Sequence, residues 1–417
     1  MRPLTIGIAG SGFVATLHAL TWSKIASPRF NLAGCCSGHP ENAQAFAAKW
    51  SLPKAWRDYE QMLADPEVDV VDLCSPNDRH RDMIVAAAQA GKHIICEKPL
   101  TGAFGSRPIE GYIEDNAEGN NQGHAEGLGV GRNAELAGLL PKRELLEEAL
   151  ANVKACGEAI RKAGVGFGYA ENFVYAPPLV KARRLLDKAE GTLFDIRAEE
   201  SHSGSHAAYA GTWKRSGGGS LIRLGSHPIA AALHLKRWEG LRRTGRPIRP
   251  RSVMAETGNN TKIPSFVNET RKFIRTDWVD VEDWACAIVT FEDGSHATVS
   301  SSDCVLGGVR NMLSLYSSNA VAHININPND ALEVYAPREG IFGDEYLREK
   351  LETNAGWNYA APDEEWIRGY DAELLDFVDC FQRGQSPLSD LELAQDTVKV
   401  IYSAYVSAEE GRRVDVP

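Results

Sequence analysis

Six residues, Leu4–Ala9, run as an apolar strand directly into Gly10-Ser11-Gly12-Phe13-Val14-Ala15, and a helix-forming run follows from Thr16. A strand, a tight turn and a helix must therefore succeed one another at once. Gly10 permits the turn, Gly12 lets backbone approach a pyrophosphate, and Ala15 lets the helix pack closely on the strand. The phosphates then meet the positive end of the helix. Gly10, Gly12, Phe13 and Val14 are the expected cofactor-binding turn. The motif requires this first strand, so the N-terminal run is read as fold and not as a leader peptide.

The next segments extend the pattern. Phe30–Cys36 reads as a second strand, at whose end an acidic residue would hold the ribose of NAD. The chain has Cys36-Ser37-Gly38-His39 instead, with neither acid nor arginine. NAD is the expected cofactor, NADP stays open, and Ser37 and His39 are placed at the ribose. Glu41–Trp50, Asp58–Ala64 and Arg81–Ala90 read as helices, and Val68–Cys74 and His93–Cys96 as strands. Such alternation predicts a doubly wound parallel sheet, which binds ligands beyond the C-terminal ends of its strands. Three loops converge there: the glycine turn, Ser75-Pro76-Asn77-Asp78-Arg79-His80 and Glu97-Lys98-Pro99. Lys98 follows a buried strand. It is either a surface lysine paired with Glu97 or an ammonium that binds and polarises a substrate oxygen.

Composition narrows the partners. With 45 basic against 56 acidic residues, the net charge of −11 opposes a nucleic-acid binder. No apolar run is long enough to cross a membrane as a helix. None of the eight cysteines forms a C-x-x-C pair. They read as small buried apolar residues of a reducing cytoplasm, with Cys35 and Cys36 on opposite faces of a strand.

Taken together, G-x-G-x-x-A, S-P-N-x-x-H and E-K-P resemble the glucose–fructose oxidoreductase/inositol dehydrogenase/MocA family. The resemblance implies an N-terminal Rossmann domain and a C-terminal α+β domain with a largely antiparallel open sheet. It also implies a nicotinamide cofactor, a sugar substrate, a lysine at position 98 near the hydride-transfer carbon, and a homodimer or homotetramer. The expected domains are 1–172 and 173–417. The segment Thr101–Gly131 departs from the family pattern, so a Gly-rich insertion is expected over about 101–140, ahead of a helix at Lys142–Ala163. Glu171-Asn172-Phe173-x-Tyr175-x-Pro177 resembles the family's interdomain junction. Glu171 and Asn172 there either meet the nicotinamide end or cap the following helix.

The second half carries Gly217-Gly218-Gly219, read as a flexible approach to one helix that bears Arg223 and His227 on a shared face. The family motif places Asp where this chain has Arg223. A guanidinium suits a carboxylate, phosphate or sulfonate. The expected substrate contacts are Lys98, Arg223, His227, His206, Lys214 and Trp213, and no metal is expected. His227 is the expected base, with Tyr175 and Tyr209 as alternates. Three readings stand. One is a dehydrogenase acting at C3 of a sugar or glycoside. Another is a redox-neutral NAD-dependent glycosidase acting on an anionic glycoside such as a sulfoquinovoside or glucuronide. The third is a non-catalytic nucleotide sensor. Arg242–Thr276 reads as a basic irregular arm, Val281–Ser301 as a hairpin, and Tyr370–Arg383 and Leu391–Glu410 as closing helices.

Overall fold

Strands β1 (Leu4–Ala9), β2 (Phe30–Cys36), β3 (Lys54–Ala55), β4 (Val70–Leu73), β5 (His93–Glu97) and β6 (Phe167–Ala170) form one parallel sheet in the order β3-β2-β1-β4-β5-β6. The computed structural model describes residues 2–25, 27–105, 136–327, 332–351, 353–361 and 363–417. Central strands β4 and β5 are buried at every residue but His93, as a sheet covered by helices on both faces requires. The covering helices here are α1 (Phe13–Lys24), α2 (Pro40–Lys49), α3 (Tyr59–Ala64), α4 (His80–Gln89), a short turn α5 (Leu136–Leu139) and α6 (Lys142–Ala163). Asp58 caps α3 by accepting from Gln61 N at 2.8 Å, the role its residue type favours. Most of the expected insertion, residues 106–135, lies outside the described residues.

Beyond β6 come helices α7 (Pro177–Ala189), α8 (Trp213–Ser216), α9 (Ser220–Arg223), α10 (Ser226–Thr244), α11 (Pro264–Val267), α12 (Glu364–Arg368), α13 (Tyr370–Arg383) and α14 (Leu391–Glu410). Strands β7 (Leu193–Ser201), β8 (Pro250–Gly258), β9 (Trp284–Phe291), β10 (His296–Ser302), β11 (Arg310–Ser317), β12 (Val321–Asn325) and β15 (Val414–Asp415) form a second sheet. Its order is β12-β11-β7-β10-β9-β8-β15, and only β10–β7 is parallel. A separate ribbon pairs β13 (Glu333–Ala336) with β14 (Gly356–Tyr359). One face of the large sheet packs on α10 and α14; Met254, Ile288 and Val321 are exposed on the other.

Two sequence expectations are corrected here. Arg242–Thr276 is an irregular arm only in its second half: its first half finishes α10 and supplies β8, and residues 259–276 hold just two short helical turns. Only one face of β8 is covered, so its outward Arg251, Met254 and Glu256 mask the strand pattern. Arg223 and His227 do not share a helix, because the chain turns at Leu224-Gly225 between α9 and α10. There Gly225 N bonds Ser220 O and His227 N bonds Leu224 O, which breaks the i→i−4 ladder.

Candidate active site

The glycine turn leaves no room for alternatives. Gly10 has φ +135°, and a Cβ on it would stand 2.3 Å from the Cys74 carbonyl oxygen. A Cβ on Gly12 would meet nothing within 4 Å, so that backbone faces open space at the start of α1. No side chain caps α1. Its first N–H groups are thus open to an anion. These features fit the pyrophosphate of a dinucleotide.

From this turn a cavity of about 1440 Å³ runs along the strand ends to the second domain. Gly10, Gly12, Phe13, Val14, Ser37, His39, Ser75, Pro76, Asn77, Glu97 and Lys98 all line it. Ser11 and Ser37 hydroxyls bond at 2.9 Å, and Arg57 reaches the same end. The opposite wall brings Glu200, His202, His206, Tyr209, Arg223, His227, Lys350 and Arg368.

The two halves of the cleft are bolted together. Asn77 Nδ2 donates to Ser216 O at 2.9 Å, and Arg215 pairs with Asp78 at 3.0 Å. Tyr402 OH donates to Gly217 O at 2.6 Å and accepts from Ala103 N at 2.6 Å. The glycine run 217–219 is therefore a rigid floor and not the flexible approach expected. Glu282 accepts from Gly219 N and Leu221 N, both at 2.9 Å. A Cβ at Gly218 would stand 2.2 Å from Tyr405 OH. Glycine is required there for space.

At the reaction end, Lys98 Nζ donates to the main-chain carbonyl of Arg223 at 2.7 Å. Glu97 does not pair with that ammonium: it accepts from Lys98 N at 3.0 Å and takes His18 Nε2 at 3.0 Å. His18 also contacts Asp72 at 2.9 Å through Nδ1. His18, Asp72 and Cys74 bring potential ligand atoms within 4.8 Å of one another. Asp72 is already engaged by His18 and Trp22, and burial pushes the Cys74 thiol up to about 12. The trio forms a hydrogen-bonded cluster.

His227 is buried, stacked on Phe173 with ring centroids 4.7 Å apart. Its Nδ1 lies 2.7 Å from Glu171 Oε1, and its Nε2 lies 3.9 Å from Glu200 Oε2. Burial, followed by the Lys98 charge, holds the imidazolium well below its ordinary range. Burial raises the carboxyls of Glu171 and Glu200. With the Nδ1 proton assigned toward Glu171, Nε2 presents a lone pair.

Arg223 lines the cavity, but its guanidinium is engaged. It makes two bonds to buried Asp303 and lies over the Trp278 ring at 4.7 Å. The fork expected to meet a substrate anion is turned to a protein carboxylate. Four other expected contacts move elsewhere. Tyr175 OH donates to Asp376 Oδ2 at 2.7 Å, and Asn172 Nδ2 donates to Arg368 O at 2.9 Å. Trp213 Nε1 donates to Ala103 O at 3.1 Å. Lys214 does not line the cavity. His80 braces the loops instead of touching the cleft: Nδ1 meets Pro99 O at 2.8 Å and Nε2 meets Ser75 O at 2.9 Å.

Glu200, Lys350 and Arg368 are cavity residues that sequence reasoning missed. Glu200 did leave a signal. Ile196, Ala198 and Glu200 share the buried register of β7, and a carboxylate on an apolar face calls for a reason. Lys350 and Arg368 lie in segments with no local motif.

Residues 4–106 match the family model described as "Oxidoreductase family, NAD-binding Rossmann fold", and residues 179–323 match the GFO/IDH/MocA C-terminal domain. Levoglucosan dehydrogenase of Pseudarthrobacter phenanthrenivorans is 35% identical over 108 residues, 24% of this chain and 27% of that protein. D-glucoside 3-dehydrogenase of Escherichia coli is 37% identical over 98 residues, 23% of this chain and 27% of that protein. These matches span about a quarter of each relative. Among solved structures, GenD2 from gentamicin A biosynthesis, in complex with NAD, superposes with a TM-score of 0.76 at 21% identity, covering 100% of this chain and 97% of that one. Levoglucosan dehydrogenase with NADH and levoglucosan gives 0.69 at 18% identity, with full coverage of both. At these identities the superpositions establish the fold.

Proposed function

Because the chain belongs to the GFO/IDH/MocA oxidoreductase family, we propose that it oxidises a secondary hydroxyl, at C3, of a sugar or glycoside. One observation carries this reading: a single cavity joins the glycine turn to Lys98 and to His227. Bound NAD supplies the acceptor for the hydride that leaves the sugar carbon. The chain supplies the rest. Lys98 keeps two N–H donors beyond the one given to Arg223 O, and these bind and polarise the reacting oxygen. His227 Nε2 takes the hydroxyl proton, a role worth roughly 10²–10⁴-fold in rate. The imidazolium that forms is countered by Glu171 and Glu200. His202, His206, Tyr209 and Lys350 give the polar wall that a polyhydroxylated ligand needs. Lys350, whose ammonium donates to the main-chain carbonyl of Gly204 at 2.5 Å, is the cation that would meet an anionic substituent. No carboxylate directly follows β2, so NADP is accepted beside NAD. The open face of the second sheet is the surface for self-association.

The test is a panel of neutral and anionic sugars and glycosides with each cofactor, following reduced nicotinamide. A 3-deuterated substrate should show a primary isotope effect. Reduction without such an effect would move the chemistry from C3.

A redox-neutral glycosidase is the second reading, favoured by Glu200. Its Oε2 is buried on the cavity wall with no hydrogen-bond partner among the described residues and His227 Nε2 3.9 Å away, and burial raises its carboxyl. A protonated carboxyl in that position is placed to give a proton to a departing aglycone.

A further inference from the structure

None of residues 259–276 lines the cavity, yet one of them, Arg275, grips its wall. That wall is the segment 203–211 between β7 and α8, which brings Ser205, His206, Ala207 and Tyr209 to the cavity. All five N–H donors of Arg275 are engaged. Nη1 donates to Ser205 O at 2.9 Å and to Ala207 O at 2.6 Å, and Nη2 donates to Ala208 O at 3.2 Å. Nε and Nη2 give the other two to Asp277, at 2.5 Å and 3.0 Å, which fixes the plane of the fork. A guanidinium suits this task because its five donors lie in one rigid plane. Main-chain bonds flank the grip: Arg275 N donates to Ser203 O at 3.0 Å, and Val279 N to Gly211 O at 2.9 Å. Gly204 has φ +117°, and a Cβ on it would stand 2.4 Å from the Cβ of Arg275.

Arg275 is itself anchored. Its guanidinium lies over the ring of buried Trp278 at 4.5 Å, and Arg223 lies over the same ring at 4.7 Å. Arg223 in turn is bonded to buried Asp303. The far side of the segment reaches the first domain. The ring of His206 lies 6.1 Å from that of Phe13, centroid to centroid. Phe13 opens α1 directly after Gly12, at the phosphate-binding turn, and is half exposed. The segment therefore bridges the cleft from β7 to the glycine turn. Arg275 holds it by main-chain carbonyls, so the grip makes no demand on the side chains that Ser205, His206 and Tyr209 bring to the cavity.

We propose that residues 203–211 form a strap across the dinucleotide cleft, held in place by Arg275, and that this strap slows the departure of the nicotinamide cofactor. The inference rests on the cavity being the dinucleotide site. A ligand that extends from the glycine turn to Lys98 passes the bridge between His206 and Phe13. One tilted ring pair is a weak closure by itself. Hydrogen bonds from a charged donor are about twice as strong as neutral ones, and Arg275 places three of them along the strap. To swing clear, the strap must give up those bonds. Arg275 acts through the main chain of the strap and is a positioning residue.

Stopped-flow fluorescence of NADH chased from the full chain by excess NAD⁺ reads the strap directly. Losing hydrogen bonds from a charged donor should speed NADH dissociation roughly 10- to 100-fold in Arg275→Ala. Gly204→Ala pushes the strap off Arg275 without removing a charge, and should act in the same direction. Arg275→Lys keeps the charge but not the planar fork, and should lie closer to the alanine variant than to the natural protein. Single-turnover hydride transfer at saturating NAD⁺ should keep its natural rate in all three. Hydrogen exchange without cofactor is the second readout: residues 203–212 should exchange faster in Arg275→Ala while β10 keeps its protection. If β10 loses protection as well, Gly204→Ala decides by the same two readings. Unchanged NADH release in both alanine variants, or unchanged exchange over 203–212, overturns the strap. A natural protein that binds no NADH removes the dinucleotide reading and the strap with it, whereas NADH bound and released at one rate throughout removes the strap alone.

Discussion

Replacing Arg223 by alanine separates two roles for one guanidinium. Asp303 has no exposed surface, and Arg223 is buried beside it. The guanidinium gives one bond at 3.3 Å and a second, shorter one to the two carboxylate oxygens. His202 Nδ1, 3.8 Å from Asp303, is held neutral by burial and nearby positive charges, and Lys350 reaches Asp303 only through space, without a hydrogen bond to it. Arg223→Ala therefore strands a carboxylate in the interior, which costs about 3–5 kcal/mol. At about 2 °C per kcal/mol for a domain of this size, Tm should fall by roughly 6–10 °C. A double change to apolar residues, Arg223→Met with Asp303→Leu, should recover most of that loss, because neither charge is left alone. The carbonyl that holds Lys98 belongs to the backbone and survives each change. KM for a neutral sugar should therefore stay within about twofold, as expected where only side chains remote from the reacting oxygen change. Thermal and urea unfolding, run beside steady-state kinetics on neutral and anionic sugars, measure both roles. An unchanged Tm with a selective rise in KM for anionic sugars would refute the reasoning and make Arg223 the substrate's fork.

Four further outcomes are expected. Lys98→Ala should abolish turnover while NAD still binds by calorimetry; full activity removes the lysine from the chemistry. His227→Ala should slow the chemical step by about 10²–10⁴-fold with cofactor affinity unchanged, as read by single-turnover kinetics. The folded protein lowers the His227 pKa, so the base form persists as pH falls through the ordinary imidazole value near 6.5. Then kcat should stay level across that value and drop only in more acid solution, whereas a midpoint at or above 6.5 contradicts this. Gly10→Ala should abolish NAD binding, since the new Cβ collides with the Cys74 carbonyl, and tight binding by this variant would show that the turn is placed wrongly.

The Rossmann half was legible because its signals are local. Leu4–Ala9 and Phe30–Cys36 are predominantly apolar runs, broken only by Thr5 and Asn31 and closed by glycine or serine, and strands of a covered parallel sheet need little more. Lys98 and the Asn77 loop follow from topology alone, since every strand delivers its loop to the same edge. The second domain was less legible. Its strands cover one face only, so β8 was missed. Arg223 looked available because its partner Asp303 stands 80 positions away. Tyr175, Asn172, Trp213 and Lys214 are near the motifs in sequence, yet the first three spend their polar atoms on interdomain or helix contacts.

The central claim is that Lys98 and His227 carry out a net oxidation of a sugar hydroxyl. The most direct test incubates the protein with NAD⁺ and a glycoside in D₂O, with reduced cofactor followed by absorbance and the sugar by NMR in one sample. Reduced cofactor equal to the oxidised sugar, with the glycosidic bond intact, is the predicted result. Free sugar carrying deuterium at C2, with no net reduction of the cofactor, would contradict it and establish the oxidation–elimination route instead.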